Sequence, residues 1–153
     1  MRKIIAIITF TLIFPVFVFS QNYQYRLNHD TSINLNKTTP SQFLDILSNG
    51  FDSLSKMNFL TTGDFAKNWV SLEDLNYLMK LIHSTEKCLC VVKVWSSFEP
   101  FANYSTIGGQ AMNMVESYKN KVPYFPGLWT CAKNDSLRAA EIGKWWKTMD
   151  VQK

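Results

Sequence analysis

The sequence predicts a mainly α fold: a small bundle of about four to five antiparallel helices with at most a minor strand element. Apolar residues recur at intervals of three and four in four segments between residues 40 and 150, which is the periodicity of amphipathic helices. The connections are short and contain Pro, Gly or Asn, and short connections favour antiparallel neighbours. Within residues 40–150, only residues 88–98 also fit a strand. Residues 40–150 are therefore expected to form a single helical domain.

The chain begins with the pattern of a signal peptide. Arg2 and Lys3 precede an apolar run over residues 4–19, and the small Ser20 follows it. The run is shorter than the roughly 20 residues of a membrane-spanning helix, and Pro15 would remove one of that helix's hydrogen bonds. We therefore expect residues 1–20 to be cleaved as a signal peptide and the protein to be secreted or periplasmic. An uncleaved N-terminal anchor is the alternative.

Residues 21–39 are expected to form a flexible polar lead-in. Asn, Gln and Thr dominate this segment, so it has too little apolar surface to offset its ordering entropy. Thr39 followed by Pro40 is a helix start signal. An amphipathic stripe then follows, and Gly50 offers an alternative helix end. The stripe consists of Phe43, Leu47, Phe51 and Leu54.

A second helix begins after a predicted loop at residues 61–64. Ser71 and Asp74 have the spacing of a capping box, and the helix ends near His83. Its apolar face consists of Leu72, Leu75, Leu78, Met79 and Ile82.

The remaining elements are one ambiguous segment and two further helices. Residues 88–98 are rich in β-branched and aromatic side chains, which fits a strand or a buried helix. Ser105 or Thr106 caps the third predicted helix, and the last helix starts at Asp135 or Ser136. Their apolar stripes are Ile107, Ala111, Met114, Val115 and Tyr118, and then Ala139, Ile142, Trp145, Trp146 and Met149.

The Leu-rich helix at residues 72–82 and the small-residue helix at residues 107–118 together resemble the helix pairs of HEAT-type repeats. The resemblance covers about half of the mature chain and rests on the helix pattern. It implies a scaffold or binding surface, and it implies no catalysis.

The charge distribution argues against a nucleic-acid partner. The formal net charge of +4 falls to +2 when Arg2 and Lys3 are removed, and the other basic residues are scattered along the chain. This pattern is typical of a solvated surface and not of a basic stripe. We also expect no stable membrane span once the leader is cleaved.

Three cysteines, Cys88, Cys90 and Cys131, stand out in an exported protein, where thiols tend to oxidise. One disulfide from Cys131 to either Cys88 or Cys90 would leave a single thiol, and three ordinary buried thiols are the alternative. The Cys88-Leu-Cys90 spacing differs from the Cys-x-x-Cys of redox sites. Zinc sites also require more residues between paired cysteines, so a site using His83 is disfavoured. We expect no metal and no cofactor.

No arrangement of catalytic residues marks the chain as an enzyme. Ser96 and Ser97 lack the flanking glycines of a nucleophile elbow, and His83 fits a helix C-terminal cap. The Gly108-Gly109 pair offers amides to an anion, although close helix packing also explains it. Four carboxylates are candidates for a glycosidase pair, but nothing in their spacing makes two of them partners. They are Glu73, Asp74, Glu99 and Glu116.

The aromatic segment at residues 124–129 is the best candidate for a binding surface. Large rigid side chains lose little entropy on contact with sugars, peptides or proteins, although such rings often fold back onto the core. The predicted contact residues are Tyr124, Phe125, Trp129 and Trp69. The sequence thus favours an exported non-enzymatic helical module that binds a protein or an envelope component. A small secreted or periplasmic hydrolase with an unrecognised carboxylate or metal site is the alternative.

Overall fold

The structure, a computed structural model, describes residues 37–51, 58–61, 64–93 and 104–150. The leader at residues 1–20, most of the lead-in, and Leu54, Ser96, Ser97 and Glu99 lie outside the described residues. The helices are α1 Pro40–Asn49, α2 Leu72–Leu81, α3 Ile107–Asn120 and α4 Ser136–Asp150. The strands are β1 Asn58–Thr61, β2 Lys87–Cys88, β3 Cys90–Lys93, β4 Ser105–Thr106 and β5 Trp129–Thr130.

The predicted mainly α class is wrong, because the fold is a mixed α/β fold. Helices make up 51% and strands 15% of the described residues, and the strands form two sheets. The larger sheet has the order β1-β3-β5, with β1 parallel and β5 antiparallel to β3. The smaller sheet pairs β2 with β4. The expected bundle with a minor strand is therefore replaced by four helices, which pack on one another chiefly through α3, and two small sheets.

The parallel pairing of β1 with β3 explains why this class was missed. Parallel strands need a crossover between them, usually a helix, and here α2 lies between the two strands in the chain. Strand β1 has only four residues, 58–61, and it is held in an extended conformation by pairing with residues 90–93. That pairing is a contact between distant parts of the chain, which local periodicity does not detect.

The predicted starts of α1 and α2 are confirmed, and a polar side chain caps each of them. Gln42 N donates to Thr39 Oγ1 at 3.3 Å, Thr39 N donates back to Gln42 Oε1 at 3.0 Å, and Pro40 occupies the first turn. Ser71 forms the same reciprocal box with Asp74, whose Oδ2 accepts from Ser71 N at 2.8 Å. Helix α1 ends before Gly50, which was the alternative end.

The core contains an aromatic cluster centred on Phe43 of α1. Its ring meets four other rings edge-to-face at centroid distances of 5.1–6.0 Å, an arrangement that favours aromatic pairs. The four are Phe59, Phe65, Trp69 and Tyr124. Leu75 and Leu78 of α2 join the same core, which includes Met114 of α3, whereas Leu72 is exposed, contrary to its predicted place on the apolar face.

The structure pairs Cys90 with Cys131 in a disulfide and leaves Cys88 as a buried thiol. Cys131 directly follows β5, and Cys90 begins β3. The bridge therefore fastens an edge strand of only two residues to the central strand. Among the described residues, no helix combines the length and apolarity that crossing a membrane requires.

The start of α3 lies close against neighbouring backbone, and this explains the two glycines there. A Cβ at Gly109 would overlap the Ala132 carbonyl, and one at Gly108 would lie 2.5 Å from Ser84 O. The amides are also occupied, since Gly108 N donates to Ser84 O at 3.1 Å and Gly109 N to Thr106 Oγ1 at 3.1 Å. These two amides serve helix packing and capping, and they do not face an anion.

Candidate functional site

A solvent-open groove of about 280 Å³ lies between α3 and the segment at residues 122–130. Helix α3 contributes one wall of polar side chains, namely Asn113, Glu116, Ser117 and Asn120. The 122–130 segment contributes the other wall, which includes Val122, Phe125 and Trp129. The groove therefore combines amide, hydroxyl and carboxylate groups on one side with apolar and aromatic groups on the other.

The polar wall follows from the spacing of residues along α3. Positions 113, 116, 117 and 120 are separated by three, one and three residues, so they lie on one face of a helix. The opposite face carries Ala111, Met114 and Val115, which are buried in the core. Burial of the apolar face thus forces the polar stripe toward the 122–130 segment.

Arg138 of α4 holds the polar wall in place. Its Nε donates to Glu116 Oε1 at 2.7 Å and its Nη2 to Glu116 Oε2 at 2.6 Å, a bidentate charge-assisted pair. Nη2 also donates to Asn113 Oδ1 at 2.6 Å, while Asn113 Nδ2 donates to Thr130 Oγ1 at 2.9 Å. The network runs from α4 across α3 to β5 and fixes the orientation of both groove-lining side chains.

The backbone of the aromatic wall contains two residues in the left-handed region. Lys121 (φ 56°) caps the C-terminus of α3, and Phe125 (φ 47°) bends the segment at the groove. A bulky residue with positive φ is unfavourable and persists only where its surroundings hold it. Contacts of the Phe125 ring with Phe65 and Tyr124, at centroid distances of 6.5 and 5.9 Å, supply that restraint.

The four predicted contact residues fall into two groups. Tyr124 and Phe125 are buried, with 1% and 7% of their surface exposed. Trp69 is partly buried and donates from Nε1 to Thr38 O at 2.6 Å. Trp129 alone of the four is well exposed, at 42%. The first three rings join the cluster around Phe43 because that contact removes large apolar surfaces from water, and Trp129 remains accessible at the groove.

Two titratable side chains, Tyr124 and Cys88, are buried in the core and do not line the groove. Tyr124 donates from its hydroxyl to Gln110 Oε1 at 2.6 Å, and both side chains are fully buried. Burial raises the pKa of the Tyr124 hydroxyl well above its usual value. Burial likewise raises the pKa of the Cys88 thiol to about 12, although a hydrogen bond with Ser105 acts in the opposite direction. Both groups therefore remain protonated at neutral pH.

Cys88 is expected to resist alkylation in the folded protein. The thiolate is the nucleophile, and raising the thiol pKa from 9.0 to about 12 lowers the thiolate fraction near pH 8 by about 1,000-fold. Labelling with iodoacetamide, followed by mass spectrometry, should be slower by at least that factor than in denaturant without reductant. The rate should rise about tenfold per pH unit as the pH approaches 12. A native rate within tenfold of the unfolded rate would contradict the buried thiol.

The other candidate catalytic and metal-binding residues do not converge on the groove. His83 is exposed just beyond α2, and Glu73 and Asp74 lie in the first turn of that helix, where they complement its dipole. Cys90 and Cys131 are joined to each other. Over the part of the chain that the structure describes, no group of three or more His, Cys, Asp or Glu side chains is placed to hold a metal ion.

Sequence reasoning missed most of this groove. The polar stripe on α3 was readable from its spacing, because it is the complement of the predicted apolar stripe. Arg138 carries no such signal, since its partners lie 22 and 25 residues away on another helix. Comparison of the chain with known proteins gives no match to a family model, a curated protein or a solved structure.

Proposed function

We propose that this chain is an exported, non-enzymatic module that binds an envelope component through the groove between α3 and residues 122–130. The observation that carries the proposal is Trp129, a large aromatic side chain left 42% exposed beside a wall of fixed polar groups. Tryptophan is enriched among residues that dominate binding energy. Export is proposed from the leader pattern at residues 1–20.

The chemistry of Glu116 supports binding over hydrolysis. Hydrolysis of a glycosidic bond by the usual route needs two carboxyl groups on opposite sides of the bond. Glu116 is the one carboxylate among the described residues that line the groove, and both of its oxygens accept hydrogen bonds from Arg138. Arg138 thus holds Glu116 as a hydrogen-bond acceptor of fixed orientation, which suits ligand binding better than acid catalysis.

Truncation of Trp129 is expected to weaken binding at least about tenfold, because Trp129 is the exposed aromatic side chain among the described residues that line the groove. The measurement is retention of the purified protein, without residues 1–20, on envelope fractions from its native host. Leu137→Ala is the matched control, since Leu137 is 78% exposed on α4 and does not line the groove. Thermal melting of both variants must match the parent protein.

Three outcomes would contradict parts of this proposal. Equal retention of Trp129→Ala and the parent protein would remove the groove as the contact surface. Absence of retention on every envelope fraction would remove the binding function. Recovery of the protein with residues 1–20 still attached in the cytoplasmic fraction would contradict export.

A further inference from the structure

The groove offers two kinds of contact that few ligand classes use together. Trp129 presents an exposed indole, and Asn113 and Glu116 present planar polar groups held by Arg138. A sugar ring has an apolar face of C–H groups and an edge of hydroxyls, which both donate and accept hydrogen bonds. The indole matches the C–H face, and the amide and carboxylate groups match the hydroxyls.

The charge balance of the groove favours a neutral ligand. Glu116 is the one charged side chain among its described lining residues, and the bidentate contact with Arg138 compensates that charge. A cationic ligand would have to displace Arg138 from Glu116.

The lysines of the surrounding elements make other contacts. Lys93 pairs with Asp64 at 2.6 Å, and Lys119 and Lys121 lie over the rings of Trp145 and Tyr118. Among the described residues that line the groove there is no lysine or arginine, so the lining itself offers no cation to an anionic ligand.

The size and surroundings of the groove favour a short oligosaccharide over a peptide. Its volume of about 280 Å³ lies just below the range for small-molecule sites, which is about 300–1,000 Å³. An extended peptide gains affinity by adding main-chain hydrogen bonds along a sheet edge. Here the adjacent edge strand, β5, consists of only Trp129 and Thr130, so such pairing would be minimal.

We infer that the groove binds one or two units of a neutral oligosaccharide, with a sugar face against Trp129 and hydroxyls on Asn113, Glu116 and Asn120. This inference rests on the proposed binding function and specifies its ligand class. Asn113 and Glu116 are pre-oriented by the network, so binding requires little side-chain ordering there, and this lowers the entropic cost of association. Asn120, at the exposed end of α3, supplies an additional amide.

The first test is titration of the ¹⁵N-labelled protein with maltotriose, cellotriose, xylotriose, mannotriose and N,N′,N″-triacetylchitotriose. We expect at least one trisaccharide to shift the Trp129 indole N–H resonance and to bind with a Kd below about 1 mM. Trp129→Ala should weaken that binding at least tenfold and Asn120→Ala about threefold to tenfold. Leu128→Ala is the matched control, because Leu128 is 50% exposed beside Trp129 but does not line the groove. Binding that is unchanged in Trp129→Ala would overturn the assignment of this groove.

The second test separates this inference from the proposed function. Envelope fractions that retain the protein are treated with periodate, which cleaves vicinal diols, with glycoside hydrolases, which cleave chains that lack such diols, or with protease. Loss of Trp129-dependent retention after periodate or the hydrolases, but not after protease, supports the oligosaccharide, including one outside the trisaccharide panel. Retention that survives both periodate and the hydrolases, with no trisaccharide bound, overturns the oligosaccharide and leaves the binding function standing. Absence of retention on every untreated fraction, with no trisaccharide bound, overturns both.

Discussion

Reduction of the Cys90–Cys131 disulfide is expected to lower the free energy of unfolding by about 4 kcal/mol. The two cysteines are 41 residues apart, and a bridge over a loop of that length removes about this much conformational freedom from the unfolded chain in the chain-entropy model. Strand pairing cannot replace the lost constraint when the bridge is reduced, because β5 pairs with β3 at only two positions. Urea unfolding of the oxidised and reduced protein, monitored by circular dichroism, measures the difference.

The Cys88→Ala variant is the control for this prediction. It removes the buried free thiol and so prevents exchange of Cys88 with the disulfide, and the difference between its oxidised and reduced forms should remain about 4 kcal/mol. A difference below about 1 kcal/mol in both proteins would show that the bridge does not constrain the unfolded chain as proposed. Because Cys131 follows Trp129 and Thr130, reduction should also loosen the groove wall and weaken ligand binding.

Gly109→Ala is expected to destabilise the fold by about 3 kcal/mol, which is at the upper end of typical overpacking costs. The added Cβ would overlap the carbonyl of Ala132, a backbone group that cannot rotate away as a side chain does. That carbonyl accepts from Thr106 N at 2.9 Å and from Ser105 Oγ at 2.6 Å. Its displacement would therefore also weaken the contact between the start of α3 and the segment after β5. Chemical denaturation of the variant measures the loss.

Gly143→Ala is expected to have the opposite effect and to raise the free energy of unfolding. Gly143 lies within α4, and a Cβ there would meet nothing within 4 Å. Alanine should stabilise this helix by about 0.5–1 kcal/mol, because glycine loses more backbone freedom on folding. If both glycine variants changed stability in the same direction and by similar amounts, the close approach at Gly109 would not be the cause.

The helices could be predicted because their signals lie within a few residues of one another. Thr39 and Ser71 cap their helices through partners three residues away, and the apolar stripes of α2 and α3 repeat every three or four residues. Leu72 is the exception on α2. It matches the stripe, yet the neighbouring elements leave it exposed. The local pattern is therefore a more reliable guide to where a helix forms than to which of its apolar residues become buried.

The sequence by itself determined the positions of the four helices and the apolar stripe that buries one face of α3. The tertiary structure decided the sheets, the choice of Cys90 over Cys88 as the partner of Cys131, and the exposure of Trp129 while Tyr124 and Phe125 became buried. The physical reason is the separation along the chain between the groups that interact. Helix capping and periodicity act between neighbours in the chain, whereas strand register, disulfide choice and the Arg138 network depend on groups brought together only by folding.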